Sequence, residues 1–252
     1  MASKVLITAG ASGIGLEIAR AFVDGGASVF ACDIDEAALD RARSELSGLQ
    51  TGRCDVGEEA EVEAMVADAA ARLDGIDVLV NNAGIGGPTK SVQDLAPDDW
   101  EAVLRINLTG TFNVTRHAIP HLIRSGDGVI INMASAAGRF GYPNRSPYAV
   151  TKWGLIGFTK TLSMELGEHD IRVNAIAPGA VDGERIQRVF KGRAEATGKS
   201  MEEVIEGSMA NQSIKRLVQP SEIGALAVFL ASDAAKSISG QVLPIDNDYQ
   251  RN

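Results

Sequence analysis

Short runs rich in β-branched and other apolar residues alternate along the chain with longer stretches in which apolar positions recur every three or four residues. The short runs are Val5–Thr8, Ser28–Cys32, Thr51–Asp55, Val78–Asn81, Val129–Met133, Arg172–Ile176 and Gln241–Ile245. The longer stretches are Gly13–Asp24, Glu36–Ser44, Glu58–Leu73, Pro97–Ser125, Pro147–Gly167 and Ser221–Ser232. A near-continuous apolar run suits a strand covered on both faces, and the longer period suits a helix packed on one side. Strict alternation of the two predicts β-α-β units and a parallel sheet, hence an α/β, doubly wound domain of seven strands. No linker, repeat or low-complexity segment divides residues 1–252, so one domain is expected. The rhythm breaks once. A charged stretch at about 182–213 separates the sixth strand from the last helix, where an insertion tends to form a lid over a ligand site; a solvated amphipathic helical pair is the alternative, and the two are compatible.

Composition narrows the class. The chain has 252 residues, 45% hydrophobic and 23% charged, with a net charge of −9. That balance argues against a nucleic-acid or anionic-membrane surface. No apolar run reaches membrane-spanning length, and the strand-like run begins at Lys4, which leaves no room for a signal or transit peptide and predicts a cytoplasmic protein. Cys32 and Cys54 lack metal-ligand spacing and are expected as buried free thiols. His117 and His121 stand one helical turn apart with no cysteine or carboxylate cluster beside them, so they are taken as helix residues and no metal is expected.

Two places carry chemistry. The first strand runs directly into Thr8-Ala9-Gly10-Ala11-Ser12-Gly13-Ile14-Gly15, which opens a helix. Gly10, Ser12, Gly13, Ile14 and Gly15 there suit a tight turn that lets the backbone and the helix N-terminus approach a pyrophosphate. Asp33 ends the second strand eighteen residues beyond Gly15, where a carboxylate accepts hydrogen bonds from the adenosine ribose and repels a 2′-phosphate. Neither Ser12 nor Ile34 offers a basic side chain, so NAD is expected rather than NADP. Asp35 is better placed than Asp33 to cap the next helix.

The second place is Tyr148-Ala-Val-Thr-Lys152, with Ser135 thirteen residues upstream. A spacing of four puts phenol and ammonium on one helix face, roughly 6 Å apart along the axis. Lowering a tyrosine from its free value of about 10 to about 7 takes roughly 4 kcal/mol, a contribution within reach of a neighbouring lysine and a cationic cofactor ring.

Taken together, these motifs resemble the classical short-chain dehydrogenase/reductase family over nearly the whole length. The resemblance also rests on Asp55 ending the third strand, Asn81-Asn82-Ala83-Gly84 after the fourth, Asn107 in a helix, and Pro178-Gly179. It implies a Rossmann-like domain, hydride transfer between a nicotinamide cofactor and an alcohol or carbonyl, and a homotetramer. It assigns general acid/base chemistry to Tyr148. Lys152 would lower the phenol's pKa and bind the nicotinamide ribose, Ser135 would donate to the substrate oxygen, and Asn107 would hold a water of a proton relay. Asp55 and Val56 would meet the adenine, Asn82, Ala83 and Gly84 its ribose, and Pro178, Gly179 and Val181 the nicotinamide. Two positions depart from the family pattern. Ala9 replaces a glycine, which implies ordinary backbone angles there, and Gly183 replaces a threonine that would hold the carboxamide.

Arg139, Arg145 and Arg185 fall in the expected substrate region, where guanidinium suits carboxylate, sulfonate or phosphate. Pairing of such arginines with neighbouring glutamates is the competing expectation. The favoured reading is an NAD-dependent dehydrogenase of a small polar secondary alcohol such as a sugar, polyol or hydroxy acid. The alternatives are a carbonyl reductase of the 3-oxoacyl carrier-protein type and a non-catalytic NAD-binding regulator. The Asp246–Asn252 tail would either close a subunit interface or fray.

Overall fold

A computed structural model describes residues 3–250, so Arg251 and Asn252 of the tail lie outside the described residues. Seven parallel strands, β1 (Lys4–Thr8), β2 (Ser28–Asp33), β3 (Gln50–Arg53), β4 (Val78–Asn81), β5 (Val129–Met133), β6 (Arg172–Pro178) and β7 (Val242–Ile245), form one sheet in the order β3-β2-β1-β4-β5-β6-β7. Side chains of a strand alternate between faces, and the core divides accordingly. Val5, Ile7, Val29, Val80 and Ile131 face helices α1 (Gly13–Asp24), α2 (Glu36–Glu45) and α9 (Pro220–Ala231). Leu6, Phe30, Leu79, Ile130 and Val173 face α3 (Glu59–Leu73), α5 (Gly110–Ser125) and α6 (Ser146–Glu165). Both faces are dry, which is why the strands read as unbroken apolar runs. Each fully buried Leu, Ile or Phe contributes on the order of 2 kcal/mol through area removed from water.

The strand order reverses between β1 and β4, and a crevice at the carboxyl ends of strands is the ligand position this topology creates. Thr8 and Asn82 fasten that point. The main-chain N–H groups of Asn82 and Ala83 each donate to Thr8 Oγ1 at 3.0 Å. The Asn82 amide donates to the carbonyls of Thr8 (3.1 Å) and Ala9 (2.9 Å). Deeper down, the Asn81 amide donates to Thr115 and to Asn132, and Asn132 donates in turn to Thr159, a buried polar seam joining β4 and β5 to α5 and α6.

Three differences from the sequence expectation have local causes, and the helical pair weighed for 182–213 is present. The expected helix Pro97–Ser125 is α4 (Pro97–Leu104) and α5 joined by a π-helical turn, Arg105–Thr109. A π-turn inserts one residue without interrupting the helix, so the apolar period hardly registers it. Strand β3 stops at Arg53, and Asp55 lies in the following turn, its N–H donating to Glu61 Oε2 at 2.9 Å. Stretch 182–213 is two helices, α7 (Glu184–Thr197) and α8 (Met201–Ala210), joined through left-handed Gly198 and a capping box between Ser200 and Glu203. Finally, Ala9 is not in ordinary backbone space: its φ is +49°. Gly13 shares that conformation at +51°, and a Cβ on Gly15 would stand 2.1 Å from the Ala9 carbonyl oxygen. The turn is thus held left-handed at a residue carrying a methyl group.

The left-handed region costs an L-residue about 1–2 kcal/mol, part of which glycine returns through its freer unfolded chain. Ala9→Gly should therefore stabilise the protein by about 0.5–1 kcal/mol in denaturant unfolding. An equal or lower midpoint would place the strain elsewhere.

Candidate active site

Residues from five segments converge at the carboxyl edge of the sheet. Helix α6 opens with Pro147 in its first turn, where the missing N–H is not needed, and so presents Tyr148 and Lys152 one turn apart on one face. Ser135 caps the short turn after β5, its Oγ accepting from Ala137 N–H at 3.2 Å. That turn lies flat on α6. A Cβ on Gly138 would come within 2.6 Å of the Lys152 carbonyl oxygen, so only glycine brings the two together. Lys152 is buried, its Nζ donating to the Met133 carbonyl at 2.6 Å and lying 5.6 Å from the Tyr148 ring centre.

Asn107 sits wholly buried in the π-turn. Its Oδ1 accepts from Ile85 N–H (2.8 Å), while Nδ2 donates to the Ile85 carbonyl and to Thr151 Oγ1, both at 3.0 Å. Thr151 Oγ1 donates onward to the Tyr148 carbonyl at 2.8 Å. Both amide hydrogens of Asn107 are thus committed to protein partners. The water-holding role expected of Asn107 is left to one lone pair of Oδ1 and to the main-chain carbonyl, which accepts from Thr111 Oγ1. Gly84 closes the gap: a Cβ there would meet Asn107 Oδ1 at 3.2 Å and Lys152 Nζ at 3.5 Å.

The electrostatics follow from this crowding. Burial pushes the Tyr148 phenol up. Arg185, Lys152, a hydrogen bond from Ser135 and Arg145 together outweigh it, and the phenol lies below its ordinary value. Burial pushes the Lys152 ammonium down to about 8; the phenol opposes that shift and Arg185 adds to it. At neutral pH the lysine still carries its charge, which is what lowering the phenol requires.

The expected cofactor residues line the same edge. The N-terminus of α1 has no acidic residue in its first turn, and Ser12 makes no side-chain cap, so its N–H groups and dipole are free for an anion. Asp33 closes β2, accepting from Ala11 N–H (3.4 Å) and Asp35 N–H (3.2 Å), while Asp35 caps α2 by accepting from Ala38 N–H. Asp55 accepts from Gly57 N–H and pairs with Arg105 at 3.3 Å, and Val56 is buried beside it. Pro178 pairs with Ile245 at the end of β6, and Gly179 lies so close to β7 that a Cβ would stand 2.9 Å from the Asp246 Cα. Val181 bridges to Val218. Gly183, at φ +135°, starts α7 in a conformation that the threonine of the family pattern would resist. These positions suit a dinucleotide lying along the edge from β3 to β6.

The three arginines do not behave alike. Arg139 is in an ion pair with Asp246 (3.0 Å), the acid-pairing outcome, though with a partner from the tail rather than from α7 or α8. Arg145 and Arg185 instead sit against Tyr148, each 5.5 Å from its ring centre. Sequence reasoning gave no role to Thr8 or Thr151, whose roles depend on tertiary contacts. Arg193 donates to the Tyr142 hydroxyl at 2.7 Å.

Residues 8–250 match the family model described as enoyl-(acyl carrier protein) reductase. The chain is 37% identical over 246 residues to a 3-oxoacyl-(acyl-carrier-protein) reductase of Thermotoga maritima, covering 96% of this chain and 95% of that one. It is 36% identical over 251 residues to a D-beta-hydroxybutyrate dehydrogenase of Cupriavidus necator, covering 97% and 96%. A crystal structure of a variant actinorhodin polyketide ketoreductase with NADPH superposes with a TM-score of 0.93 at 36% identity, covering 98% of both chains. The chain belongs to the short-chain dehydrogenase/reductase family and is an oxidoreductase.

A buried ammonium at about 8 against 10.5 when free destabilises the fold by roughly 3 kcal/mol at about 1.4 kcal/mol per unit. Between those values the folded state binds fewer protons than the unfolded one, so this penalty is complete below pH 8 and fades as pH rises through 10.5. Lys152→Met should therefore unfold at higher denaturant than the wild type below pH 8 while losing activity, with the gap closing toward alkaline pH. A mutant less stable at pH 7 would mean that the Met133 hydrogen bond outweighs the buried charge.

Proposed function

We propose that this protein is an NAD-dependent dehydrogenase of a small polar secondary alcohol, working as the general acid/base Tyr148 dictates. The carrying observation is the convergence of Ser135, Tyr148 and Lys152 around a phenol held below its ordinary value. When bound, the nicotinamide supplies the acceptor for the hydride leaving the alcohol carbon. Tyr148 takes the hydroxyl proton onto its phenolate oxygen. Ser135 Oγ donates to the substrate oxygen, whose charge grows in the transition state. Lys152, fixed by the Met133 carbonyl, keeps the phenolate accessible near neutral pH. Asn107 fixes the 84–85 loop and, through Thr151, the first turn of α6.

The Gly10–Gly15 turn with Ser12 and Ile14 would cradle the pyrophosphate. Asp33 would bind the adenosine ribose, Asp55 and Val56 the adenine, Asn82, Ala83 and Gly84 the adjoining ribose, and Pro178, Gly179 and Val181 the nicotinamide. Asp33 supports NAD, since a second negative charge at the ribose would face its carboxylate. Exposed apolar side chains on α5 and α6, among them Phe112, Val150 and Trp153, support assembly as a homotetramer. Buried free thiols at Cys32 and Cys54 support a reducing compartment such as the cytoplasm. No helix among the described residues is long and apolar enough to cross a membrane.

A second reading, a carbonyl reductase acting on carrier-bound 3-oxoacyl groups, draws on the names of the Thermotoga maritima and actinorhodin relatives. Cofactor preference separates the two. Initial rates with NAD and NADP on a panel of secondary alcohols should favour NAD. Tyr148→Phe should cost about 10²–10⁴ in kcat, the usual worth of a positioned acid/base. Asp33→Ser should narrow the NAD preference by about tenfold or more, the loss of one charge-assisted contact. A wild type that prefers NADP would transfer the assignment to the reductase reading.

A further inference from the structure

Around Tyr148 stands a cluster that catalysis by Ser135, Tyr148 and Lys152 does not need. Arg145 is buried, 5% exposed, with its guanidinium 5.5 Å from the Tyr148 ring centre and 5.8 Å from that of Tyr142. Its Nε and Nη2 both donate to the Gly86 carbonyl. Arg185, in the first turn of α7, lies 5.5 Å from the Tyr148 ring centre and donates a single N–H, to the Gly84 carbonyl at 3.3 Å. Arg193, two turns along α7, lies 5.1 Å from the Tyr142 ring centre. Three guanidinium groups thus surround two phenols.

Several other arginines of this acidic chain find carboxylates, although buried Arg172 is held by main-chain carbonyls alone. Arg105 meets Asp55 and Glu58, Arg139 meets Asp246, and Arg188, one turn from Arg185, takes Glu184. Among the described residues, Arg145, Arg185 and Arg193 have no carboxylate within 4.0 Å, although Glu184 is Arg185's immediate neighbour. Arg145 is buried without counter-charge, which is costly unless something anionic completes it, and Arg185 stands at the solvent side of the same cluster. Each guanidinium carries five N–H donors, so Arg185 retains four for a ligand. Those donors are presented at the acid/base residue from a helix whose entry is an unobstructed glycine: a Cβ on Gly183 would meet nothing within 4 Å.

We infer that the substrate carries a carboxylate or sulfonate close to its reacting carbinol carbon, and that Arg185, backed by Arg145 and Arg193, grips that anion. The inference rests on the dehydrogenase reading and sharpens it. A small polar alcohol becomes a hydroxy acid or hydroxyalkanesulfonate, and neutral sugars and polyols become poor substrates. Two rival roles exist for the same arginines, lowering the phenol's pKa alone and binding the cofactor's phosphates. The first would affect neutral and anionic substrates equally; the second would appear in the affinity for the ADP-ribose half of the cofactor.

The test uses charge-matched pairs: 2- and 3-hydroxycarboxylates and hydroxyalkanesulfonates, each beside its neutral amide. Wild type, Arg185→Gln and Tyr148→Phe are compared for NADH formation. The same compounds are titrated calorimetrically into the Tyr148→Phe and Arg185→Gln proteins holding NAD, and ADP-ribose into all three. Arg185 is exposed, so its replacement leaves the core packing in place. The inference expects at least one anion to exceed its amide by about a hundredfold in kcat/KM. It expects Arg185→Gln to lower the rate on that anion at least tenfold more than on the amide, with ADP-ribose affinity changed less than threefold. Equal rates on anion and amide, or equal losses on both, overturn it, as does a large loss of ADP-ribose affinity. If neither member of any pair is oxidised, the dehydrogenase reading fails, and the anion site is judged by calorimetry alone. Binding of a carboxylate or sulfonate to the Tyr148→Phe protein that vanishes in Arg185→Gln supports the anion site, and no binding of any anion overturns it.

Discussion

Everything at the carboxyl edge of this sheet depends on keeping a positive charge beside a phenol where little water reaches. Burial alone would push Tyr148 up and leave it inert as a base. Lys152 counters that only by remaining charged in a place that disfavours charge, which is why it lies below its free value. The surrounding structure bears the cost. The Met133 carbonyl accepts one ammonium hydrogen, the flat turn at Gly138 lets α6 approach, and Gly84 leaves room for the amine beside Asn107. Arg145 and Arg185 add further positive potential from outside the helix. A stability deficit at Lys152 and a reactive phenol are two consequences of one arrangement.

The fold makes that arrangement possible by fixing where loops can be. Because the connections leaving the paired strands β1 and β4 run to opposite sides of the sheet at the reversal of strand order, the turns after them open onto a shared crevice, and the Thr8–Asn82 bonds hold those turns in register. The π-turn does similar work on the other side. It brings Asn107 inward to bind both polar groups of Ile85, and through Thr151 it fixes the start of α6. The dinucleotide edge and the acid/base residues therefore rest on the same few polar contacts.

Much of this was legible in the sequence because local pattern and tertiary role coincide there. Gly13–Asp24, Val78–Asn81 and Val129–Met133 have the same bounds in the structure as in the apolar pattern, since strands dry on both faces and a helix following a glycine turn leave clear edges. Tyr148 and Lys152 meet because helical spacing alone brings them together. What was not legible depends on space rather than order. A π-turn adds a residue without disturbing periodicity, so Pro97–Ser125 read as one helix. Ala9 is forced left-handed by its neighbours, against its own preference. The separation of Arg139 from Arg145 and Arg185 follows from where Asp246 lands at the end of the sheet, which no spacing along the chain expresses.

The central claim, that cationic neighbours hold one phenol ready to ionise, is tested most directly by ultraviolet difference titration of tyrosine ionisation in wild type and Tyr148→Phe. The chain has three tyrosines, so a single group is resolvable. The account predicts one phenol ionising below the ordinary tyrosine value of about 10, with that step missing from the mutant. Superimposable curves for the two proteins below that value would contradict it.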